Sequence, residues 1–291
     1  MPPTGNPRLT VAQINASPKA LIMGIVNVTP DSFSGDGVAA HAAVAQALRM
    51  VADGADIIDI GGESTRPGHA LIAVDEEIRR TVPVITALRA ASAIPISIDT
   101  TKAAVAVAAL NAGADIVNDV LALRGDPAMA ASVAVRGAPI ILMHNRSVPQ
   151  NIIPTATLGA AYAAPDYQNF LADVCQDLRA SVAVAHAAGI TSDRIILDPG
   201  IGFGKSAAQN IALLRHCDAL AALGYPILLG PSRKSFIGQT LNLPVTERDE
   251  ATLAACIIGW QRGAKIFRVH NVRAVRRALD MAAVITATPP R

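Results

Sequence analysis

The chain is poor in several things, and each shortage removes a class of protein. Only 3% of its 291 residues are aromatic and only 16% are charged. Its 25 lysines and arginines stand against 23 aspartates and glutamates, a formal net charge of +2, too even for the broad basic field that non-specific nucleic-acid binding needs. No nucleic-acid partner is expected, and any anion site must be local. The three cysteines, Cys175, Cys217 and Cys256, are odd in number, far apart and outside any CxxC pairing. They argue against a disulfide framework or a zinc site and for a reducing, cytoplasmic home. No run of 18 apolar residues escapes a charge or a breaker, so no membrane span is expected. HExxH, His-x-His and GxSxG are missing as well, which speaks against a tightly held catalytic zinc and against the hydrolase signatures.

What is present is aliphatic: 51% of the residues are hydrophobic, mostly alanine and short Ile, Leu and Val runs, enough for a large core. The first twenty residues carry Pro2, Pro3, Pro7 and Pro18 and lack the apolar stretch of a secretory signal. Residues 1–19 read as a flexible arm, 20–287 as one domain and 288–291 as a tail.

A phrase recurs along that domain. An Ala-rich helical stretch ends in Gly-Ala, a β-branched run follows, and a polar residue closes it five places after the glycine. Gly54 leads to Asp59, Gly113 to Asn118 and Gly263 to Arg268. Glycine accepts the left-handed conformation just past a helix end, and an unalternated aliphatic run suits a parallel strand covered on both faces. Runs of this kind place strands at 21–27, 56–60, 95–99, 115–118, 139–143, 194–198, 226–230 and 265–269. Helical patterns fall at about 39–53, 74–92, 101–112, 127–136, 165–188, 206–222, 247–262 and 271–286. Eight β-α units in a chain of this size are the arithmetic of a TIM (β/α)8 barrel, and the first turn reads NVTPDSF where a dinucleotide-binding sheet would have GxGxxG.

Chemistry in this fold sits on the loops that leave the C-terminal ends of the strands. Those ends carry Asn27, the loop GGESTRPG with Glu63, Thr65 and Arg66, then Asp99, Asn118, Met143 with His144, Asp198, Ser232 to Ser235, and Arg268 followed by His270. Arg66, Lys234, Arg268 and His270, with Asn27 able to give a metal an oxygen, suit a polyanion such as a diphosphate. Asp99, Asn118 and Asp198 are rich in acceptors and suit a planar heterocycle with several N–H donors.

The same segments carry a family resemblance. MGIVNVTPDSFSGDG from Met23, DIIDIGGESTRPG from Asp56, ISIDTTK from Ile96, IVNDV from Ile116, LMH from Leu142, ILDPGIGFGK from Ile196, GPSRKSFIG from Gly230 and IFRVH from Ile266 stand in order. Over about residues 20 to 285 the chain resembles the dihydropteroate synthases of folate biosynthesis. The resemblance implies a TIM-barrel transferase that joins (7,8-dihydropterin-6-yl)methyl diphosphate to 4-aminobenzoate. The products would be 7,8-dihydropteroate and diphosphate, and the cofactor Mg2+.

It further implies that Asp99, Asn118, Asp198 and Lys234 meet the pterin, with Met143 and Phe203 beside it. Asn27 would meet the magnesium, and Arg66, Arg268 and His270 would hold the diphosphate. Phe33, Thr65, Pro67 and Ser235 would surround the aminobenzoate, and Asp99, Lys234 and Arg268 would carry the catalysis. The last two helices would form a homodimer face. Small molecules are the expected partners, with neither nucleic acid nor membrane.

Two departures from the family pattern stand out. MHNRS, with Asn145 and Ser147, replaces the usual Met-x-Gly ending, and Asn271 follows RVH where Asp is usual, so that an amide would orient His270 only weakly. The rival readings are a methyltetrahydrofolate-type pterin-binding methyltransferase, which gives STRPG, SRKS and RVH no partner, and a catalytically silent pterin-binding paralogue. Elsewhere, His41, His69, His186 and His216 read as ordinary surface residues and the cysteines as buried fillers. Arg273, Arg276 and Arg277 read as a solvated helix face, Lys205 as structural, Trp260 as core or interface, and Glu63 as either a lid residue or a structural acceptor.

Overall fold

The short aliphatic runs become parallel strands in the computed structural model, which describes residues 10–28, 36–64, 71–148, 151–153 and 160–287. The strands are β1 (Leu21–Asn27), β2 (Ile57–Gly61), β3 (Ile96–Asp99), β4 (Ile116–Asp119), β5 (Ile140–Met143), β8 (Ile195–Asp198), β9 (Leu228–Leu229) and β10 (Ile266–Val269). They form one sheet in the order β8-β5-β4-β3-β2-β1-β10-β9, and a parallel bridge from Leu197 to Ile227 brings its two edges together. The TIM-barrel expectation holds. A separate hairpin of β6 (Ile152–Ile153) and β7 (Ala161–Tyr162) is too short to leave a periodic signal in sequence.

Around the sheet lie α2 (Asp36–Ala52), α3 (Val74–Ala91), α4 (Ala103–Ala112), α5 (Met129–Arg136), α6 (Phe170–Ala187), α7 (Ala207–Arg215), α8 (Cys217–Ala221), α9 (Ser235–Leu241), α10 (Asp249–Gln261) and α11 (Val272–Thr286). The Gly-Ala phrase works as expected at α4, where Gly113 ends the helix with φ 112° and returns its N–H to the last turn. Two helical expectations are revised. The single helix over 206–222 breaks at His216 into α7 and α8, and the helix expected from 165 starts at Phe170, capped by Asn169.

Because side chains alternate along a strand, the barrel sorts its residues by two-residue steps. Ile22, Ile58, Ile98, Val117, Leu142, Leu197 and Phe267 face the helices. Met23, Ile57, Ile116, Ile141, Ile196, Leu228 and Ile266 fill the interior near its N-terminal end. Two places further along these strands the interior turns polar: Ile57 gives way to Asp59, Ile116 to Asn118, Ile196 to Asp198 and Ile266 to Arg268. The apolar layer is a floor, and the site stands on it.

The floor is closed from below by part of the expected N-terminal arm. Residues Val11–Ala16 form a helix, α1, started by a capping box in which Thr10 and Gln13 satisfy each other's main-chain N–H groups. Val11 and Ile14 are buried in the same cluster as Met23, Ile57 and Ile266. The arm is thus an ordered plug over this stretch, because an open barrel end leaves apolar side chains to cover; residues 1–9 lie outside the described residues, as do 288–291. Arg276 also departs from its expected place on a solvated face. Its guanidinium donates to Asp56 at 2.7 Å and to the Ala20 carbonyl at 2.9 Å, tying α11 to the start of β1.

Candidate active site

Four strand ends place the principal side chains. The register sets Asp99 beside Asn118 and Gly61, and Asp59 beside Ser97 and Ile25. Arg268 reaches across from β10, donating through Nε to Asp59 at 2.6 Å and through Nη2 to Asp99 at 2.7 Å. Asn118 donates to the same Asp59 oxygen at 3.2 Å. Asp59, Asp99, Asn118 and Asp198 are all buried.

Buried charges stand only where partners exist, and the balance here leaves particular atoms unmet. Asp59 Oδ1 and Asp99 Oδ1 have no hydrogen-bond partner among the described residues. A buried acceptor without a donor costs roughly 1–3 kcal/mol, so these oxygens favour a ligand that brings N–H groups. Burial pushes Asp99 up to about 7; Arg268 opposes that shift, and the Asp59 carboxylate adds to it. Burial alone would lower Arg268, but Asp59 and Asp99 hold its guanidinium firmly in the charged form. Burial also raises Asp198, against the pull of Lys234.

The opposite wall is built from the turn after β8. Asp198 accepts the N–H of Gly200 at 2.7 Å. Gly200 has φ 69°, and a Cβ there would stand 1.9 Å from the His144 carbonyl oxygen, so only glycine fits. Lys205 is structural, as expected: its ammonium is buried and donates to the carbonyls of Gly200 and Phe203 at 2.9 Å and of His144 at 3.3 Å. The turn presents Phe203, whose ring lies 4.7 Å from the Lys234 ammonium and stacks on Tyr162. Lys234 also donates to the Ile201 carbonyl. Burial pushes Lys234 down to about 8, with Asp198 resisting that shift and Arg268 adding to it.

The expected residues Asp99, Asn118, Asp198, Phe203, Lys234 and Arg268 therefore gather at the C-terminal end of the barrel, with Met143 at the end of β5. Asn27 ends β1 nearby: a Cβ on Gly61 would lie 3.7 Å from both Asn27 Oδ1 and Asp99 Oδ2. Ser235 opens α9 beside Lys234, and His270 follows β10. Phe33, Thr65, Arg66 and Pro67 lie outside the described residues.

Other rim residues do different work. His144 turns toward α6, where its Nε2 meets Asp177 at 3.1 Å, and burial drops its ring to about 3. Glu63 is a structural acceptor, taking the Ile72 N–H at 2.8 Å and the Lys102 ammonium at 2.7 Å. The departure at Asn145 is absorbed locally, since its amide bonds Ser147 and the Val120 carbonyl. Asn271 does not orient His270. It caps α11 through the Ala274 N–H and donates to Asp249.

Sequence reasoning missed Asp59. It stands where the first Gly-Ala phrase reaches its polar residue, but it lies inside β2 and not at its end, and its partners are 59 and 209 residues away. The available signal was a carboxylate in the middle of an otherwise aliphatic, doubly covered strand.

A buried, charge-matched set of acceptors and cations at the C-terminal rim of a (β/α)8 barrel defines an enzyme site for a small, donor-rich ring. In keeping with this, the chain belongs to the pterin-binding enzyme family, whose model matches residues 23–270. Within that family it falls among the dihydropteroate synthases. It is 45% identical over 265 residues to the dihydropteroate synthase of Bacillus subtilis, covering 90% of this chain and 87% of that one. The solved structure of the Xanthomonas albilineans dihydropteroate synthase with 4-aminobenzoic acid is 42% identical with a TM-score of 0.86, over 98% of this chain and all of that one. The Xanthomonas albilineans synthase in complex with 7,8-dihydropteroate superposes with a TM-score of 0.81 at 42% identity, over 93% of this chain and 95% of that one.

Proposed function

We propose that the chain condenses (7,8-dihydropterin-6-yl)methyl diphosphate with 4-aminobenzoate to give 7,8-dihydropteroate and diphosphate. The observation that carries this is the set of buried carboxylates beside adjacent cations: Asp99, with an oxygen that no described residue meets, and the buried Asp198 for the N–H edge of the ring, with Lys234 and Arg268 beside them. Asn118 completes the ring contacts, with Met143 and Phe203 against its faces.

The bond from the pterin methylene to the diphosphate oxygen breaks first, leaving a cation delocalised into the ring. Asp99 stabilises that charge from a fixed position away from bulk water. Arg268 has five N–H groups and gives two to carboxylates, so three remain for phosphate oxygens. His270 and Arg66 join it in holding the leaving diphosphate. The aromatic amine of the second substrate, seated by Phe33, Thr65, Pro67 and Ser235, then attacks the methylene and loses a proton. Such an amine is a nucleophile at neutral pH, so the step needs no strong general base.

The residues present fit magnesium. Among the described residues no group of three His, Cys, Asp or Glu side chains gathers to hold a metal. Magnesium ordinarily keeps waters and takes substrate phosphates with one or two protein oxygens, so Asn27 would hold it together with the diphosphate. When bound, the ion neutralises charge on the departing phosphate. Calorimetry of dihydropterin diphosphate with and without magnesium tests this reading. Magnesium should tighten binding to the wild-type chain and have little effect on Asn27→Ala, and an equal effect on both would remove Asn27 from the site.

A homodimer through α10 and α11 is part of the same reading. Ile258 on α10 and Met281, Val284 and Ile285 on α11 are exposed aliphatic side chains, more than one solvated face needs. Light scattering at the mass of two chains is the expected result, and a single-chain mass would exclude it. The three free, buried cysteines support a cytoplasmic setting. No helix among the described residues is long and apolar enough to cross a membrane.

A further inference from the structure

The role of His270 depends on which of its ring nitrogens carries the proton, and the structure places a group that decides this. Ser232, buried in the turn between β9 and α9, lies with its Oγ 2.9 Å from His270 Nδ1. The same oxygen accepts the main-chain N–H of His270 at 3.2 Å. A hydroxyl has one proton to give. Among the described residues the only acceptor within reach of that proton is His270 Nδ1. If Nδ1 carried a hydrogen, the Ser232 oxygen would face two donors while its own buried O–H had no acceptor, an arrangement that costs free energy.

We propose that Ser232 is a positioning residue for the reaction: its hydroxyl donates to His270 Nδ1 and keeps the ring proton on Nε2, making the ring an N–H donor for the diphosphate. The Asn271 side chain, which follows His270 directly, is committed elsewhere. Its oxygen caps α11 and its amide nitrogen donates to Asp249 at 3.0 Å. Asp249 in turn holds Arg233 through two bonds of 2.6 and 2.8 Å, which fixes the turn that carries Ser232. The amide at position 271 therefore costs His270 none of its orientation, since the serine across the turn supplies it. The two contacts from Ser232, one to the ring and one to the main chain, set the imidazole in one plane as well as in one tautomer.

This inference rests on the diphosphate reading of His270, but its first test does not. Nitrogen NMR of protein labelled in its histidines, recorded at about pH 8 where an ordinary imidazole is neutral, reports the tautomer directly. The His270 signal is identified by its loss in His270→Gln. The expected wild-type spectrum shows a single neutral form with the proton on Nε2; a proton on Nδ1, or an even mixture, overturns the proposal. The second test compares Ser232→Ala with Ser232→Thr. The alanine variant should lose the fixed tautomer and bind inorganic pyrophosphate about fivefold to tenfold more weakly. The threonine variant, which keeps the hydroxyl, should retain both. Affinity for 6-hydroxymethyl-dihydropterin, which has no diphosphate, should be the same in all three proteins. Unchanged pyrophosphate binding in Ser232→Ala contradicts the proposal. Absence of pyrophosphate binding in the wild-type protein would instead refute the diphosphate reading, and the tautomer would still stand or fall by its own spectrum.

Discussion

The Arg268 guanidinium, carried by the last strand of the barrel, lies 2.6 Å from the Asp59 carboxylate on the second, with neither exposed enough for water to screen the pair. Asp59 and Asp99 share this one cation. Arg268 therefore offsets the charge of both carboxylates in the middle of the barrel.

Removing it should be costly to the fold itself. Arg268→Ala leaves two buried carboxylates without their cation, and breaking a buried pair from one side typically costs about 3–5 kcal/mol. Denaturant unfolding should show that loss at pH 8. The loss should be smaller at pH 5, below the value of about 7 to which burial pushes Asp99, where that carboxyl takes up a proton and sheds its charge. A midpoint equal to wild type at both pH values would show that the pair adds no stability.

The pH profile of kcat/KM for dihydropterin diphosphate should be a narrow bell. Asp99, pushed up to about 7, must be ionised to face the developing cation, so the rate falls as pH drops through that value. Lys234, pushed down to about 8, must be protonated to hold the ring, so the rate falls again above it. Asp99→Asn should abolish the acid limb and lower the maximum about a hundredfold. Lys234→Arg should carry the alkaline limb out of range, because guanidinium stays charged. Limbs that persist unchanged in both variants would assign the titration to other groups.

Ile14 offers a control far from the chemistry. It is fully buried in α1 at the floor of the barrel, and Ile14→Ala should cost about 2–5 kcal/mol of stability. KM for both substrates should be unchanged when activity is measured well below the unfolding midpoint. A drop in substrate affinity without loss of stability would mean that the plug communicates with the rim.

Much of this architecture is legible in sequence, because a parallel barrel repeats one local rule. Gly113 ends a helix, Ile116 and Val117 make a strand, and Asn118 meets the rim; that phrase leads to Asn118 and Arg268, and the same unalternated aliphatic runs without it lead to Asp99 and Asp198. Relationships that depend on the third dimension are not legible. Asp59 looks like the end of a strand and is its middle, and nothing nearby in sequence shows that Arg268 will meet it. Asn271 looks like the orienting partner of His270 because it is adjacent, whereas Ser232 takes that place from 38 residues away. The six residues of α1 and the seven of α9 are too few for periodicity to mark, and tertiary burial, not propensity, holds them.

The most direct measurement is turnover. Purified protein incubated with dihydropterin diphosphate, 4-aminobenzoate and magnesium should yield 7,8-dihydropteroate by mass spectrometry, and a chelator should stop its formation. Clear binding of the pterin without any dihydropteroate, with both substrates and magnesium in excess, would contradict the account and mark the chain as a pterin-binding protein that does not perform this condensation.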